Sequence, residues 1–329
     1  MRMSLLVVKG SATYDMTSLV ESVSWSGSKS SAPRTLEISM LDSDRVGHDR
    51  PDIEVEDGNQ CAFYWDGEEL FRGIIMRYSQ SNRRKATVKA YDNAVYLANN
   101  SDTFVYKNKT GTQIFTDLCT RFGLDYTAAE TSYKIADLTM PTTTCIDAIW
   151  SALAKTYKAT GKRFYVLSQK GKLHLIARAD NLVQWVLEEG ANITSFQRDR
   201  SIEEVRTRIK LYSDANKVLA EAKDTAIEAK IGIMQQAEGA DSKLSKAKLA
   251  EMANTMLAKM KQASESFTID GIGVPDVYSG KAIWAHVPYL GISKTYYVDE
   301  DRHTFSMNNH TMSLTLNAVA DVEGAEDED

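Results

Sequence analysis

Residues 61 to 97 read CAFYWDGEELFRGIIMRYSQSNRRKATVKAYDNAVYL. Asp66-Gly67 stands between two apolar runs, and because a type I′ turn needs positive φ at both central residues, this pair predicts a β-hairpin. A two-residue loop sets Trp65 opposite Glu68, Phe63 opposite Leu70 and Cys61 opposite Arg72. Tyr64, Phe71 and Ala62 then share the other face, so both faces carry aromatic side chains. A sheet with one wet face alternates cleanly. Apolar character on both sides predicts closure into a barrel, or burial of the outer face against another subunit.

The same alternation extends upstream. Val23 and Trp25 lie between serines, a Ser/Gly/Lys loop ends at Pro33, and Leu36, Ile38 and Met40 alternate with Thr35, Glu37 and Ser39, which predicts a strand pair. With the hairpin and the run from Ala86 to Tyr91, residues 1–99 read as a first antiparallel β-barrel domain, Gly73 being a candidate bulge where a strand bends to close.

Downstream the period changes to that of a helix. Ile114, Phe115, Leu118, Cys119 and Phe122 fall on one face, with Gly123 placed for a left-handed C-terminal cap. Ile146, Ile149, Trp150, Leu153 and Tyr157 mark a second helix, capped by Thr143 or Thr144 and ended by Gly161. A hairpin around Gln169-Lys170-Gly171 completes an inserted α/β domain over residues 100–182.

Residues 183–320 read as a second β-barrel domain, opening at Ile193 to Gln197 and Val205 to Leu211. A helix over 242–262 carries the stripe Leu249, Met252, Ala253, Met256, Leu257 and Met260, which reads as core or subunit packing. Residues 217–236 are ambiguous, since Ala, Glu and Lys favour helix. The closing hairpin places Asn308-Asn309 in its loop, so that His303, Phe305 and Met307 share a face with His310, Met312, Leu314 and Leu316. The acidic residues 321–329 read as a disordered tail. The fold class expected is α+β: two related antiparallel β-barrel domains, an inserted small α/β domain and a long helix in the C-terminal half.

Composition narrows function further. The 329 residues are 43% hydrophobic and 26% charged, with a formal net charge of -6. These are globular values, and the acidic balance argues against stable nucleic-acid binding, which draws on excess Lys and Arg. Basic clusters at Arg83-Arg84-Lys85 and from Arg198 through Arg206, Arg208 and Lys210 read as solvated loops and strand faces. Three scattered cysteines make neither a disulfide framework nor a CxxC metal site. The N-terminus has no signal-peptide core and no window has the apolar length of a membrane span, which predicts a chain folded in a cytoplasm without membrane insertion.

Catalytic patterns are imitated rather than present. Ser26-Gly27-Ser28-Lys29, Tyr91-Asp92-Asn93 and Lys109-Thr110-Gly111 mimic the signature of penicillin-binding enzymes. There the SxxK opens a buried helix, whereas here it lies in a Ser/Gly loop between strands. Asp66 is explained by its turn, and Glu68 and Glu69 point to opposite faces, so they cannot flank one glycosidic bond. In the register above His303 and His310 start about 13 Å apart, too far to share a metal ion. No catalytic residues, cofactor or metal ligands are therefore assigned.

A family likeness emerges from order and spacing. Ser24-Trp25-Ser26-Gly27 with Pro33-Arg34-Thr35-Leu36, then Glu69-Leu70-Phe71-Arg72-Gly73-Ile74, then Ala90-Tyr91-Asp92 to Tyr96-Leu97, together with Tyr296-Tyr297-Val298-Asp299 and the strand from His310 to Leu316, resemble the baseplate hub proteins of contractile phage tails and phage-tail-like bacteriocins. The likeness is to the XkdQ/YqbQ type of Gram-positive prophages. It implies a homotrimer in which two related barrels per subunit form a pseudo-sixfold ring, adapting the tail tube to a central spike. Tail tube, central spike, tape-measure and baseplate wedge proteins are the implied partners. It favours strands up to about Gln236, and it makes Tyr64 and Phe71 candidate subunit-contact residues, since a barrel in a ring buries surface against neighbours. Related alternatives are a type VI secretion spike hub or flexible-tail tip protein, and a different class is a cell-wall-degrading or wall-binding tail protein.

Overall fold

Strands from both ends of the chain meet in one long sheet. A computed structural model of the protein describes residues 3–29, 31–42, 55–81, 85–178, 182–213, 217–240, 242 and 244–317. The chain divides into two compact units, residues 1–196 with 268–329, and residues 197–267.

In the first unit, β1 (Met3–Lys9) and β2 (Ala12–Asp15) are followed by β3 (Val20–Ser28), β4 (Ser31–Leu41), β5 (Gln60–Trp65), β6 (Glu68–Gln80) and β7 (Lys85–Asp92). The short helix α1 (Val95–Ala98) leads to β8 (Ser101–Thr110), α2 (Gly111–Arg121), β9 (Tyr126–Ala128), β10 (Lys134–Thr144), α3 (Cys145–Thr160), β11 (Phe164–Gln169) and β12 (Lys172–Ala177). Then come β13 (Leu182–Glu188) and β14 (Ile193–Ser201), which runs on into the second unit. The second unit holds β15 (Arg208–Tyr212), β16 (Val218–Lys223), α4 (Thr225–Ile231), β17 (Gln235–Gly239) and α5 (Lys246–Met260). The return strand β18 (Ser264–Ile272), then β19 (Ala282–Val287), β20 (Ile292–Ser306) and β21 (Asn309–Asn317), complete the first unit.

The main sheet has 13 strands in the order β14-β18-β21-β20-β3-β4-β7-β6-β5-β1-β2, with β19 also paired to β20 and β13 beyond it. Among the described residues nothing joins its two ends, so no sheet closes into a barrel. The expectation of two barrel domains is thereby corrected. β20 pairs with β3 from Glu300↔Ser28 to Phe305↔Val23, which merges the N-terminal and C-terminal strands into a single open sheet. Its buried face is one cluster that includes Leu5, Val23, Leu36, Ile38, Phe63 and Phe305.

The hairpin forms at the expected turn but in a shifted register. Asp66 and Gly67 both have positive φ, 50° and 83°, as the turn requires. One pair later the register shifts: Trp65 faces Glu68 and Tyr64 faces Glu69, but Phe63 faces Phe71 and Cys61 faces Gly73. A one-residue bulge reverses the faces that follow it. Phe71 therefore joins Phe63 in the core instead of sharing a face with Tyr64, and Leu70 packs at the edge of the same cluster. Gly73 is a point of close approach rather than the bulge, since a Cβ there would lie 2.1 Å from the Tyr91 carbonyl oxygen. The outer face of β6 meets the β11–β12 turn, where Arg72 packs against Gly171 and the Asn93 amide donates to the Gly171 carbonyl at 2.5 Å.

The segment from β8 to β12 has its own core, built from Phe104, Ile114, Phe115, Leu118, Ile149 and Leu173 among others. Thr110 caps α2 in a reciprocal box with Gln113, and Thr144 caps α3. Gly123 and Gly161 take the left-handed conformation expected of them.

In the second unit β15 pairs antiparallel with β16 and parallel with β17. Ile209, Leu211 and Ala222 pack there against Leu249, Ala253 and Leu257 of α5. Residues 217–236 thus contain both a strand and a helix, and the strand-only reading is corrected: Asp224 accepts from the Ile227 N–H and caps α4 where Ala and Glu follow. Helix 242–262 begins at Lys246, after Ser245 supplies its cap. Arg83, Arg84 and the acidic tail lie outside the described residues.

Candidate functional site

Arg34 continues the inward face of β4 through Leu36, Ile38 and Met40, so period-2 alternation carries a cation into the interior. Asp301 does the same on β20 with His303 and Phe305. They meet. Nη1 of Arg34 donates to Oδ1 of Asp301 at 2.9 Å and to the Ser279 hydroxyl at 3.0 Å, while Nη2 donates to Oδ2 at 2.5 Å. The guanidinium lies 4.2 Å from the Trp25 ring centroid and 5.3 Å from that of Tyr278. Gly27 makes room for it, because a Cβ there would stand 2.3 Å from Nη1. Burial alone would raise the Asp301 carboxyl, but the adjacent guanidinium holds it below the usual carboxylate range.

The histidines join this centre. The turn of the closing hairpin is Met307-Asn308 rather than Asn308-Asn309, so Phe305 faces His310 and His303 faces Met312. The two imidazoles become diagonal neighbours and approach to 2.9 Å, Nδ1 to Nε2. The 13 Å separation is corrected accordingly. Nε2 of His303 reaches the Val277 carbonyl at 2.7 Å, so it carries the proton there, and Nδ1 accepts from His310. Both rings are neutral, burial lowering His303 to about 4 and His310 to about 3. Among the described residues no group of three His, Cys, Asp or Glu side chains could hold a metal ion.

Asp92 is a further buried carboxyl. It accepts from the Arg34 N–H at 3.1 Å and the Ala94 N–H at 2.8 Å, and burial pushes it up to about 7. Lys109-Thr110-Gly111 ends β8 and caps α2, while Ser26 to Ser28 ends β3, so the penicillin-binding imitation is strand-end and cap chemistry. The three cysteines are free and buried, with the Cys61 thiol pushed up to about 12 by burial. The basic strand face is balanced by carboxylates: Arg208 holds Glu228 at 2.9 Å and Lys210 lies 3.9 Å from Glu221.

Two surfaces remain as candidate contacts. Phe71 is 3% exposed and lies in the core, whereas Tyr64 is half-buried with its hydroxyl donating to Glu69 at 3.0 Å, where Arg72 forks onto the same carboxylate. Sequence reasoning did not single out the edge at β13. Among the described residues β13 pairs with no strand but β19, Val186 facing Trp284, and the Asn192 side chain donates to the Val186 carbonyl and accepts from the Glu188 N–H, each at 2.8 Å. Trp185 is 52% exposed, Trp284 43% and Tyr289 79%, and the Tyr289 ring lies 6.0 Å from Phe196. The signal was the run Leu182-Val183-Gln184-Trp185-Val186-Leu187, too apolar for a solvated edge.

Comparisons with known proteins agree with this architecture. A family model described as YQBQ-like matches residues 23–317. The Phage-like element PBSX protein XkdQ of Bacillus subtilis (strain 168) is 34% identical over 317 residues, covering 95% of this chain and 96% of that protein. Among solved structures, the 43 kDa tail protein of prophage MuSo2 from Shewanella oneidensis superposes with a TM-score of 0.69 at 13% identity, covering 95% of this chain and 98% of that one. The tail protein from Neisseria meningitidis MC58 gives 0.66 at 16% identity, covering 96% of each chain. At such identities the structures speak for the fold alone. The family match and the full-length relative show that this chain belongs to the YqbQ/XkdQ-like family of phage-tail proteins.

Proposed function

We propose that the protein is a structural hub of a contractile tail baseplate, a homotrimer forming a pseudo-sixfold ring that adapts the tail tube to the central spike. The observation that carries this reading is the β13 edge, which has no second strand beside it among the described residues and lies next to exposed Trp185 and Trp284, with the Asn192 side chain capping the Val186 carbonyl and the Glu188 N–H. An edge of that kind calls for a covering strand or subunit, because unpaired N–H and C=O groups beside apolar side chains are a template for association. The sheet is open at β2 and β14 as well, and unlike edges on identical subunits suit a head-to-tail ring. Tyr64 is the proposed contact on the hairpin side, with Phe71 holding its strand from the core.

In this reading the work is mechanical. The hub binds tail tube, spike, tape-measure and wedge proteins, assembles in the host cytoplasm, and keeps passing nucleic acid from adhering through its negative charge. Electron microscopy of the purified chain is expected to show rings with threefold symmetry, and zymography on cell walls is expected to be blank. Lysis without ring formation would replace this reading with that of a wall-degrading tail protein.

A further inference from the structure

Between Asp147 and Asp180 the sequence holds seven Lys and Arg side chains and no carboxylate, in a chain whose formal net charge is -6. This stretch forms most of α3 and all of β11 and β12, within the first unit. Lys158 and Lys162 are exposed at the C-terminal end of α3, on either side of Gly161. The Arg163 guanidinium lies 3.6 Å from the Tyr157 ring centroid and keeps a third cation at the same place. A helix C-terminus favours a cation in its last turn, which accounts for Lys158 but not for Lys162 and Arg163 beyond the turn. Two neighbouring cations are already matched. Lys29 is paired with Asp299 at 2.9 Å, and Lys170 acts on the Glu69 carboxylate.

The opposite charge is concentrated in residues 321–329, DVEGAEDED, which hold six carboxylates and no Lys or Arg. The described chain stops at Asn317, the strand partner of Tyr297 at the end of β21. The Tyr297 ring carries the Arg178 guanidinium 3.2 Å from its centroid, and the Arg178 N–H donates to the Arg163 carbonyl at 2.9 Å. A continuous run of contacts through Tyr297, Arg178 and Arg163 therefore joins the end of β21 to the end of α3. From Asn317, four extended residues reach about 14 Å and twelve about 40 Å, so the carboxylates from Asp321 onward come within range of that end. Tethering makes the encounter intramolecular, and an effective concentration on the order of millimolar lets individually weak surface pairs act together.

We propose that residues 321–329 fold back onto the cationic end of α3 in the same chain, their carboxylates lying against Lys158, Lys162 and Arg163. The contact is independent of ring assembly, because coupling within one chain can be read in a monomer and in a ring alike.

Carbodiimide coupling of the full chain, followed by proteolysis and mass spectrometry, tests it, since the reagent joins carboxylates to amines already in contact. At low ionic strength, residues 321–329 are expected to couple to Lys158 and Lys162. The yield should fall severalfold at about 1 M salt, where the Debye length is about 3 Å. Lys158→Glu leaves the Lys162 amine in place and should lower coupling at Lys162 severalfold with Tm unchanged. A mixture of isotope-labelled and ordinary chains should give coupling within single chains only. No coupling to either lysine, undiminished coupling at high salt or in folded Lys158→Glu, or products joining labelled to ordinary chains would each overturn the proposal. Should Lys158→Glu fail to fold, the salt and isotope results on the native chain would still decide it.

Discussion

Arg34 and Asp301 stand 267 residues apart in sequence and share a bidentate contact in the interior. Removing one partner leaves the other charge buried and uncompensated, so Arg34→Ala should cost roughly 3–5 kcal/mol in urea unfolding. The paired replacement Arg34→Met with Asp301→Leu should cost clearly less, because no orphaned charge remains. Titration gives a second prediction at this scale. The histidines are neutral in the fold and ordinary when unfolded, so the unfolded state binds more protons and stability is lost as pH falls from about 6.5 towards 4. Asp92 works against this. Its folded value near 7 exceeds its unfolded one, so its contribution is present at low pH and lost as pH rises towards 7. Asp92→Asn should therefore steepen the fall in Tm between pH 6.5 and 4, and an unchanged slope would contradict the assignment. Much of this centre was legible in principle, since Arg34 and Asp301 each fall in phase with apolar neighbours. Their pairing was not, because alternation within a strand does not say which strands are adjacent.

At the level of elements, caps and turns were the readable features. Thr144, Gly123, Gly161 and the Asp66-Gly67 turn each satisfy a local requirement that short-range sequence states directly. Thr144→Ala should accordingly cost about 1 kcal/mol in thermal unfolding, the usual value of a lost N-cap. Long-range register was less readable. The bulge after Phe63 and the one-residue displacement of the closing turn each come from packing that no local pattern specifies, and each reverses or brings together side chains that simple alternation separates. Phe71 moved into the core by the first, and the histidines met by the second. Gly73 gives a test of the close approach: Gly73→Ala should destabilise by about 1–3 kcal/mol through overpacking against the Tyr91 carbonyl. An unchanged Tm would show that β6 and β7 separate easily there.

Across the whole molecule, the open sheet changes how association is understood. Two closed barrels would have hidden their edges, whereas a sheet open at β2, β14 and β13 offers three, the last of them beside exposed Trp185 and Trp284. Family membership was legible because the order of soft strand motifs spans the chain, while closure depends on pairings between distant segments. The central claim is that identical chains assemble through these edges into a trimeric hub. Light scattering coupled to size exclusion measures this most directly, on the full chain and on Trp185→Lys. The account predicts a mass of three chains for the native sequence, and a shift towards monomer with unchanged Tm for the variant. A native chain that stays monomeric at every concentration tested, or a variant that assembles as the native chain does, would contradict it.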